Sequence, residues 1–402
     1  MERVILHSDI NSCFVSVELL SRPELRGRPV AVAGSEAERH GIILAKSEEA
    51  KSLGVKTGMA LWQARRLCPE LVILPPHYDR YEEISRLACD LYGQFTNQQE
   101  PFGLDESWLD ITGCVAHRDG RLAAEEIRRR MKKELGVTVS VGVSWNKPFA
   151  KLGSDYKKPD AVTVLNKSNF RALLWPLPVS ALLFVGPATT RALASLGIRT
   201  IGELAMADAD ALCLRLGKNG LMLHRYANGL DDSPVRYWDR LPPPKSISNS
   251  TTPPRDILGD ADARMYLLRL AEEVAGRLRK GGFTARQASV SLRQADTLRW
   301  QSHQAQLPRP TDITRELFEA AWALFCQRHR WPQPLRGLGF AVSGLEAEAP
   351  EQTDLFTDYA RRDGLRRLDQ AVDGIRGRFG PNAIRYLGSD PIGPGFCAFG
   401  RK

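Results

Sequence analysis

Between Lys245 and Gly344 the apolar period switches in a fixed order: strand (245–256), helix (262–280), strand (285–293), strand (297–306), helix (312–329), strand (334–344). A βαββαβ order of this kind confines the segment to one mixed unit and is the strongest topological constraint in the chain. The same hundred or so residues hold 15 basic and 9 acidic side chains, so +6 of the net +9 falls in a quarter of the length. Such an excess suits a polyanionic partner, although charge alone describes a solvated surface equally well. With 402 residues, 43% of them hydrophobic, there is material for two to four packed domains, which excludes wholesale disorder.

The N-terminal half alternates in a related way. An apolar run from Arg3 to Leu6 leads through His7-Ser8-Asp9 into a helical pattern starting near Asn11 or Ser12, either of which suits an N-cap. Residues 24–75 read as an insertion of short elements. Arg80 to Phe95 is amphipathic, a strand pair follows around 101–112, and a charged helix near 121–135. Val137, Val139, Val141 and Val143 alternate with small polar residues, as in a half-buried strand. With the insertion set aside, the order is that of a split βαβ sheet covered on one face. Residues 180–235 read as short helices, with a tight turn at Phe184 to Thr189.

The seven cysteines are odd in number, far apart and without a CxxC pair. That argues against a zinc site or disulfide framework and for a reducing compartment. A strand-like run within four residues of the start leaves no signal peptide. Ala172 to Thr190 carries no charge, but Pro176, Pro178, Gly186 and Pro187 break a spanning helix, so it reads as an interdomain connector. A cytoplasmic protein without membrane contact is expected.

Three carboxylates carry the chemistry. Asp9 ends the first strand, and Asp105-Glu106 lies at the junction of two others. Adjacent strand residues face opposite sides, so both reach one point only if the backbone turns there, and Gly103 supplies a turn. Three converging carboxylates repel one another and need a cation to stay ionised. Oxygen ligands without His or Cys select Mg²⁺, the ion that accompanies nucleotide phosphates.

His7-Ser8-Asp9-Ile10-Asn11-Ser12-Cys13-Phe14-Val15-Ser16-Val17-Glu18 resembles the opening motif of the Y-family (translesion) DNA polymerases of bacteria. Leu104-Asp105-Glu106-Ser107-Trp108-Leu109-Asp110 resembles their second carboxylate motif. The stretch from Ser140 to Lys151, followed by Lys157-Lys158-Pro159, is similar to their third block. Gly186-Pro187-Ala188 is similar to their thumb hairpin, and Lys245-Ser246-Ile247 to the first strand of their little finger. The resemblance runs in order from residue 1 to about 345.

It implies an α+β multidomain fold. A ferredoxin-like palm would comprise 1–10 and 76–166, small fingers 11–75 and a helix-hairpin-helix thumb 167–235. A βαββαβ little finger would cover 242–345, with linker, peptide and helix over 346–402. It further implies that Asp9 and Asp105 bridge two Mg²⁺ ions, with Glu106 and the Ile10 carbonyl completing the ligands. Phe14 would be the steric gate against a ribose 2′-OH. Lys51 and Lys158 would hold the triphosphate, with backbone N–H groups near Cys13 facing the phosphates. Gly186, Ala188, Lys245, Arg286, Arg293 and Arg336 would contact DNA, the last four through a basic sheet face on which Arg286 and Arg293 need not lie together, some basic side chains pointing to solvent. The implied partners are primer-template DNA and dNTPs, bound by a monomer. The alternative is a catalytically inactive relative that binds DNA and scaffolds a mutagenesis complex; such relatives lose the carboxylates, which are present here.

Some positions depart from the family pattern. Asn11 replaces a frequent Asp, Gly103 a usual Ser, and Ala188 the second glycine of the hairpin. Glu48 stands where a tyrosine meets the triphosphate; a carboxylate there repels phosphate, so a local rearrangement is expected. After a polar linker, Glu346 to Glu351, the run Gln352-Thr353-Asp354-Leu355-Phe356 resembles the peptide that docks bacterial polymerases on the sliding clamp, with Gln352, Leu355 and Phe356 as contacts. Leu365, Leu368, Val372, Ile375 and Phe379 then form the apolar stripe of a helix expected to pack on the body.

Overall fold

The computed structural model describes residues 3–36, 39–114, 119–347, 354 and 357–386. The chain divides into two compact units, residues 1–34 with 42–241, and residues 35–41 with 242–402. None of the helices described is long and apolar enough to cross a membrane.

The first unit carries, in chain order, strands β1 (Ile5–Ile10), β2 (Val30–Ala33), β3 (Ile43–Lys46), β4 (Val72–Leu74), β5 (Gln99–Pro101), β6 (Glu106–Asp110), β7 (Val139–Ser144) and β8 (Val162–Val164). Five of them form one sheet in the order β5-β6-β1-β7-β8, and β3-β2-β4 form a second, smaller one. In the larger sheet Leu6, Ile10, Leu109, Val139, Val141 and Val143 face the helices Tyr78–Gly93 and Gly120–Arg130.

The opposite face is not open, as the alternation in β7 had suggested. Every residue of β1 and β7 is buried, because the helix Lys147–Tyr156 lies across that side. Ser140, Gly142 and Ser144 are small to admit the helix, not polar to meet water. A Cβ on Gly142 would lie 1.9 Å from the Ala150 carbonyl oxygen and 2.4 Å from the Ser154 nitrogen. The alternation is therefore large against small, with both sides dry.

Short helices follow: Pro187–Ala194, Ile201–Met206, Ala209–Leu216 and Lys218–Ala227. Thr200 and Glu203 cap the second of these reciprocally, Thr200 Oγ1 accepting from the Glu203 N–H and the Glu203 carboxylate from the Thr200 N–H. The uncharged stretch read as a connector belongs to this helical core: Leu174, Val179, Leu182 and Val185 are buried with Leu193, Ile201 and Leu223. The prolines set its turns, and the residues between the buried ones, Phe184 among them, reach the surface. The first arm of the expected hairpin is only a 3₁₀ turn, Val179–Ala181.

The second unit holds β9 (Ser246–Thr251), β10 (Phe283–Gln294), β11 (Trp300–Thr311) and β12 (Leu335–Ala347), in sheet order β11-β10-β12-β9. Helices Asp260–Gly281 and Thr314–Arg328 complete the βαββαβ order and bury Leu267, Leu270, Val274, Leu317 and Phe325 against Val290, Leu292, Leu338 and Phe340. One boundary differs from expectation. Glu346 and Ala347, expected in the linker, are the last residues of β12, paired with Thr284 and Phe283, and Glu346 also binds Arg286.

The C-terminal helix Tyr359–Phe379 does pack on this unit, through Val372 of its apolar stripe and through charged residues beside it. Leu368 is 49% exposed and Phe379 74%, whereas Arg362 and Asp369 are 6% and 3% exposed. Arg362 binds Glu316, Arg376 binds Glu272, and Asp369 binds Arg279. Asp369 also accepts the Thr314 N–H at 2.8 Å, capping a helix whose own preceding residue, Ile313, has no side-chain acceptor.

Candidate active site

Antiparallel pairing of β1 with β6 sets Asp9 directly opposite Glu106 on the face covered by the Lys147–Tyr156 helix. Asp105 lies in the bend before β6. Gly103, at φ +91°, provides the turn, and the Asp105 carbonyl accepts the Ile10 N–H at 2.9 Å, tying the bend to the end of β1. The three carboxylates thus meet at one end of the sheet.

Two ammonium groups stand among them. Lys151 Nζ is 2.9 Å from Glu106 Oε1 and 3.4 Å from Asp9 Oδ2. Lys158 Nζ is 2.7 Å from Asp9 Oδ2, and Asp155 binds both lysines, at 3.2 and 2.8 Å. Burial pushes the Asp9 carboxyl up to about 6 against the pull of Lys158. Burial and the neighbouring Glu106 also raise Asp105. Glu106 goes the other way: burial would raise it, but His7 and Lys151 beside it hold it at about 2. Both lysines are raised, since the carboxylates outweigh their own burial.

No three His, Cys, Asp or Glu groups among the described residues stand ready at metal-ligating spacing, and lysines hold oxygens of Asp9 and Glu106. The donor set nevertheless fits a hard divalent cation. It is all oxygen, and Lys151 is a cation already bridging Asp9 and Glu106. Lys151 and Asp155 were given no role from sequence. Lys151, Asp155 and Lys158 recur at i, i+4 and i+7 (the last just past the helix end), the one signal that would have placed them over Asp9.

Phe14 lies on the short helix Cys13–Glu18. Its ring stacks on Tyr81, with centroids 4.2 Å apart and planes at 10°, and meets Tyr78 edge-on. Tyr81 is fixed in turn, donating its hydroxyl proton to the buried Glu18, which also receives His77 at 2.8 Å. Ser12 occupies the N-cap position but in the left-handed region (φ 47°) and caps nothing with its side chain, contrary to the expected N-cap. Cys13 is buried in the core beneath.

Glu48, where a rearrangement was expected, pairs with Lys51 Nζ at 3.0 Å and receives the Ser12 hydroxyl at 3.5 Å. Lys51 is thus already neutralised, and Lys158, the other expected triphosphate ligand, is bound to Asp9.

Gly186 and Ala188 are exposed at the start of the Pro187–Ala194 helix. The expected basic sheet face is not found. Register places Ser246, Ser248 and Ser250 of β9, Gln287, Ser289 and Ser291 of β10, Ser302, Gln304 and Gln306 of β11, and Ser343 of β12 on the side away from the helices. Arg293, beside the Trp300 ring, is the charged member of that face. Arg286 sits at a bulge where β10 changes phase and binds Glu346, Arg336 pairs with Asp256 at 3.7 Å, and Lys245 precedes β9. Gln352, Leu355 and Phe356 lie outside the described residues. Asp354 between them binds Arg309 at 3.3 Å, and its N–H donates to the Tyr359 hydroxyl.

Comparison with known proteins places this geometry. The model of the impB/mucB/samB family matches residues 8–155, and that of the same family's C-terminal domain matches residues 244–355. DNA polymerase IV of Acetivibrio thermocellus is 45% identical over 387 residues, 96% of this chain and 97% of that protein. DNA polymerase IV of Moorella thermoacetica is 42% identical, covering 94% of each. DNA polymerase IV 1 of Bacillus subtilis is 38% identical over 95% of this chain and 92% of its own length. Among solved structures, the Y-family DNA polymerase chimera Dbh-Dpo4(243-245)-Dbh shares the fold with a TM-score of 0.75 at 22% identity, covering 86% of this chain and all of that one.

Proposed function

The chain belongs to the impB/mucB/samB family of Y-family polymerases and is a DNA-directed DNA polymerase of the translesion type, and on that premise we propose that its carboxylate cluster is the catalytic centre, binding two Mg²⁺ ions. The observation that carries this reading is the meeting of Asp9, Asp105 and Glu106 at one sheet end, with a cation already between two of them. These carboxylates and the Ile10 carbonyl would hold the ions, which when bound lower the pKa of the primer 3′-OH and neutralise the triphosphate. Lys158 would exchange Asp9 for phosphate as the nucleotide enters, while Lys151 stays with Glu106 and Asp155. Phe14, backed by Tyr81, would lie under the sugar. Primer extension with four dNTPs and Mg²⁺ tests this: templated extension that stops on chelation is expected, and no extension at any Mg²⁺ concentration would revive the inactive scaffold. That alternative has no support in the residues, since all three carboxylates are present.

Around this centre we assign palm to 1–10 and 76–166, fingers to 11–75, thumb to 167–235 and little finger to 242–347. The β9–β12 face and the Gly186 end of its helix would meet DNA phosphates without reading bases. A monomer working on chromosomal DNA in the cytoplasm fits this assignment.

Residues 352–356 are proposed as the sliding-clamp peptide. Tethering to a clamp raises local concentration at the primer end by about 10²-fold or more. Changing Gln352, Leu355 and Phe356 together to Ala is expected to leave synthesis on short primer-templates unchanged and to remove stimulation on clamp-loaded DNA. Equal clamp binding by the triple mutant and wild type in a titration would refute the assignment.

A further inference from the structure

We infer that His7 is a positioning residue for Glu106, the middle of a buried hydroxyl–imidazole–carboxylate chain that runs from Ser154 through His7 to Glu106. The inference rests on the reading of Glu106 as a metal ligand. His7 is wholly buried, two residues before Asp9 on the same face of β1, with its ring edge-on to Trp108 at 5.2 Å. An imidazole in such a place loses its hydration and needs partners on both nitrogens, whereas an aliphatic side chain would fill the space without that cost. Its Nδ1 is 2.8 Å from Ser154 Oγ, and its Nε2 is 3.3 Å from Glu106 Oε2. Ser154 can reach it because Gly142, paired with His7 across the sheet, lets the Lys147–Tyr156 helix close against β7.

The proton positions follow from counting. Ser154 Oγ lies 2.8 Å from both His7 Nδ1 and the Lys151 carbonyl, and the hydroxyl has one proton to give. If it goes to the carbonyl, Nδ1 must donate to Ser154, and the uncharged ring then turns a bare Nε2 toward a carboxylate oxygen. If it goes to Nδ1, the Nε2–H points at Glu106 Oε2. The carboxylate selects the second arrangement, in which Ser154 turns its proton from the Lys151 carbonyl to Nδ1. Glu106 Oε2 is thereby held at the back, and Oε1 is presented at the front, where Lys151 Nζ now sits at 2.9 Å. The His7 Nε2 to Glu106 Oε2 contact is a close approach and not a formed hydrogen bond, since both atoms lack one, and among the described residues each is the other's polar neighbour at 3.3 Å.

The test uses the full chain, stripped of metal, with Mn²⁺ affinity read by electron paramagnetic resonance and steady-state primer extension alongside. His7→Leu keeps volume and loses both nitrogens; His7→Gln keeps an N–H donor within reach of Oε2. His7→Leu should weaken Mn²⁺ binding about tenfold or more and lower kcat with little change in dNTP KM, as outer-shell partners of metal ligands do. His7→Gln should stay within about threefold of wild type on both, and Ser154→Ala should fall between the two. Wild-type Mn²⁺ affinity in His7→Leu, or equal defects in His7→Leu and His7→Gln, would overturn the inference and leave His7 as packing. If His7→Leu does not fold, wild-type affinity in Ser154→Ala overturns it instead. Glu106→Ala in the same assay separates this failure from that of the metal site: unchanged Mn²⁺ binding there refutes Glu106 as a ligand.

Discussion

Asp105→Ala and Glu106→Ala are each expected to reduce primer extension at least about 10³-fold, a loss of about 4 kcal/mol of transition-state stabilisation. The reason is electrostatic: on the proposed reading these carboxylates would hold the cation that stabilises charge on the departing pyrophosphate, and losing one would weaken that stabilisation. Folding should survive, because Asp105 lies in a bend whose anchoring bond uses its backbone carbonyl, not its side chain. Glu106→Ala leaves Lys151 with Asp9 and Asp155. Primer-template affinity, measured by fluorescence anisotropy, should stay close to wild type. Extension near the wild-type rate in either mutant would remove the assignment of the centre.

The second large effect should come from Phe14→Ala. The ring is held flat against Tyr81, which Glu18 and His77 fix from behind, so it cannot yield to a bulkier sugar. Removing it opens the space under C2′, and discrimination between dNTPs and rNTPs should drop by about 100-fold, or about 2.7 kcal/mol, in ratios of kcat/KM. Correct dNTP incorporation should change far less. Unchanged discrimination would place the sugar elsewhere.

The order of elements was legible because the apolar period changes from 3.6 to 2 and back within short spans, most clearly over 245–344. The carboxylates were legible because a strand end and a glycine turn are local features. What escaped was cross-element packing. The second covered face of the larger sheet was hidden, since Ser140 and Gly142 look polar in a row and become contact surface only under a helix. The C-terminal helix was expected to pack through its apolar stripe; Val372 does so, but buried ion pairs of Arg362 and Asp369 add to it, and their partners lie over forty residues away. The bulge after Ala285 shifts the phase of β10, so alternation counted along the sequence does not carry from Arg286 to Arg293.

The row of hydroxyls and amides on β9 to β12 has a thermodynamic consequence. A protein that grips a duplex with lysines and arginines displaces condensed counterions, and its affinity falls steeply with added salt, by a slope near 0.9 per neutralised phosphate. A face carrying Arg293 among serines and glutamines displaces few ions. Binding through it exchanges water for phosphate oxygen, contact by contact, so its contribution should scarcely depend on ionic strength. Neutral contacts of this kind also resemble one another from one phosphate to the next, which lowers the barrier to stepping along the duplex by one base pair as synthesis proceeds.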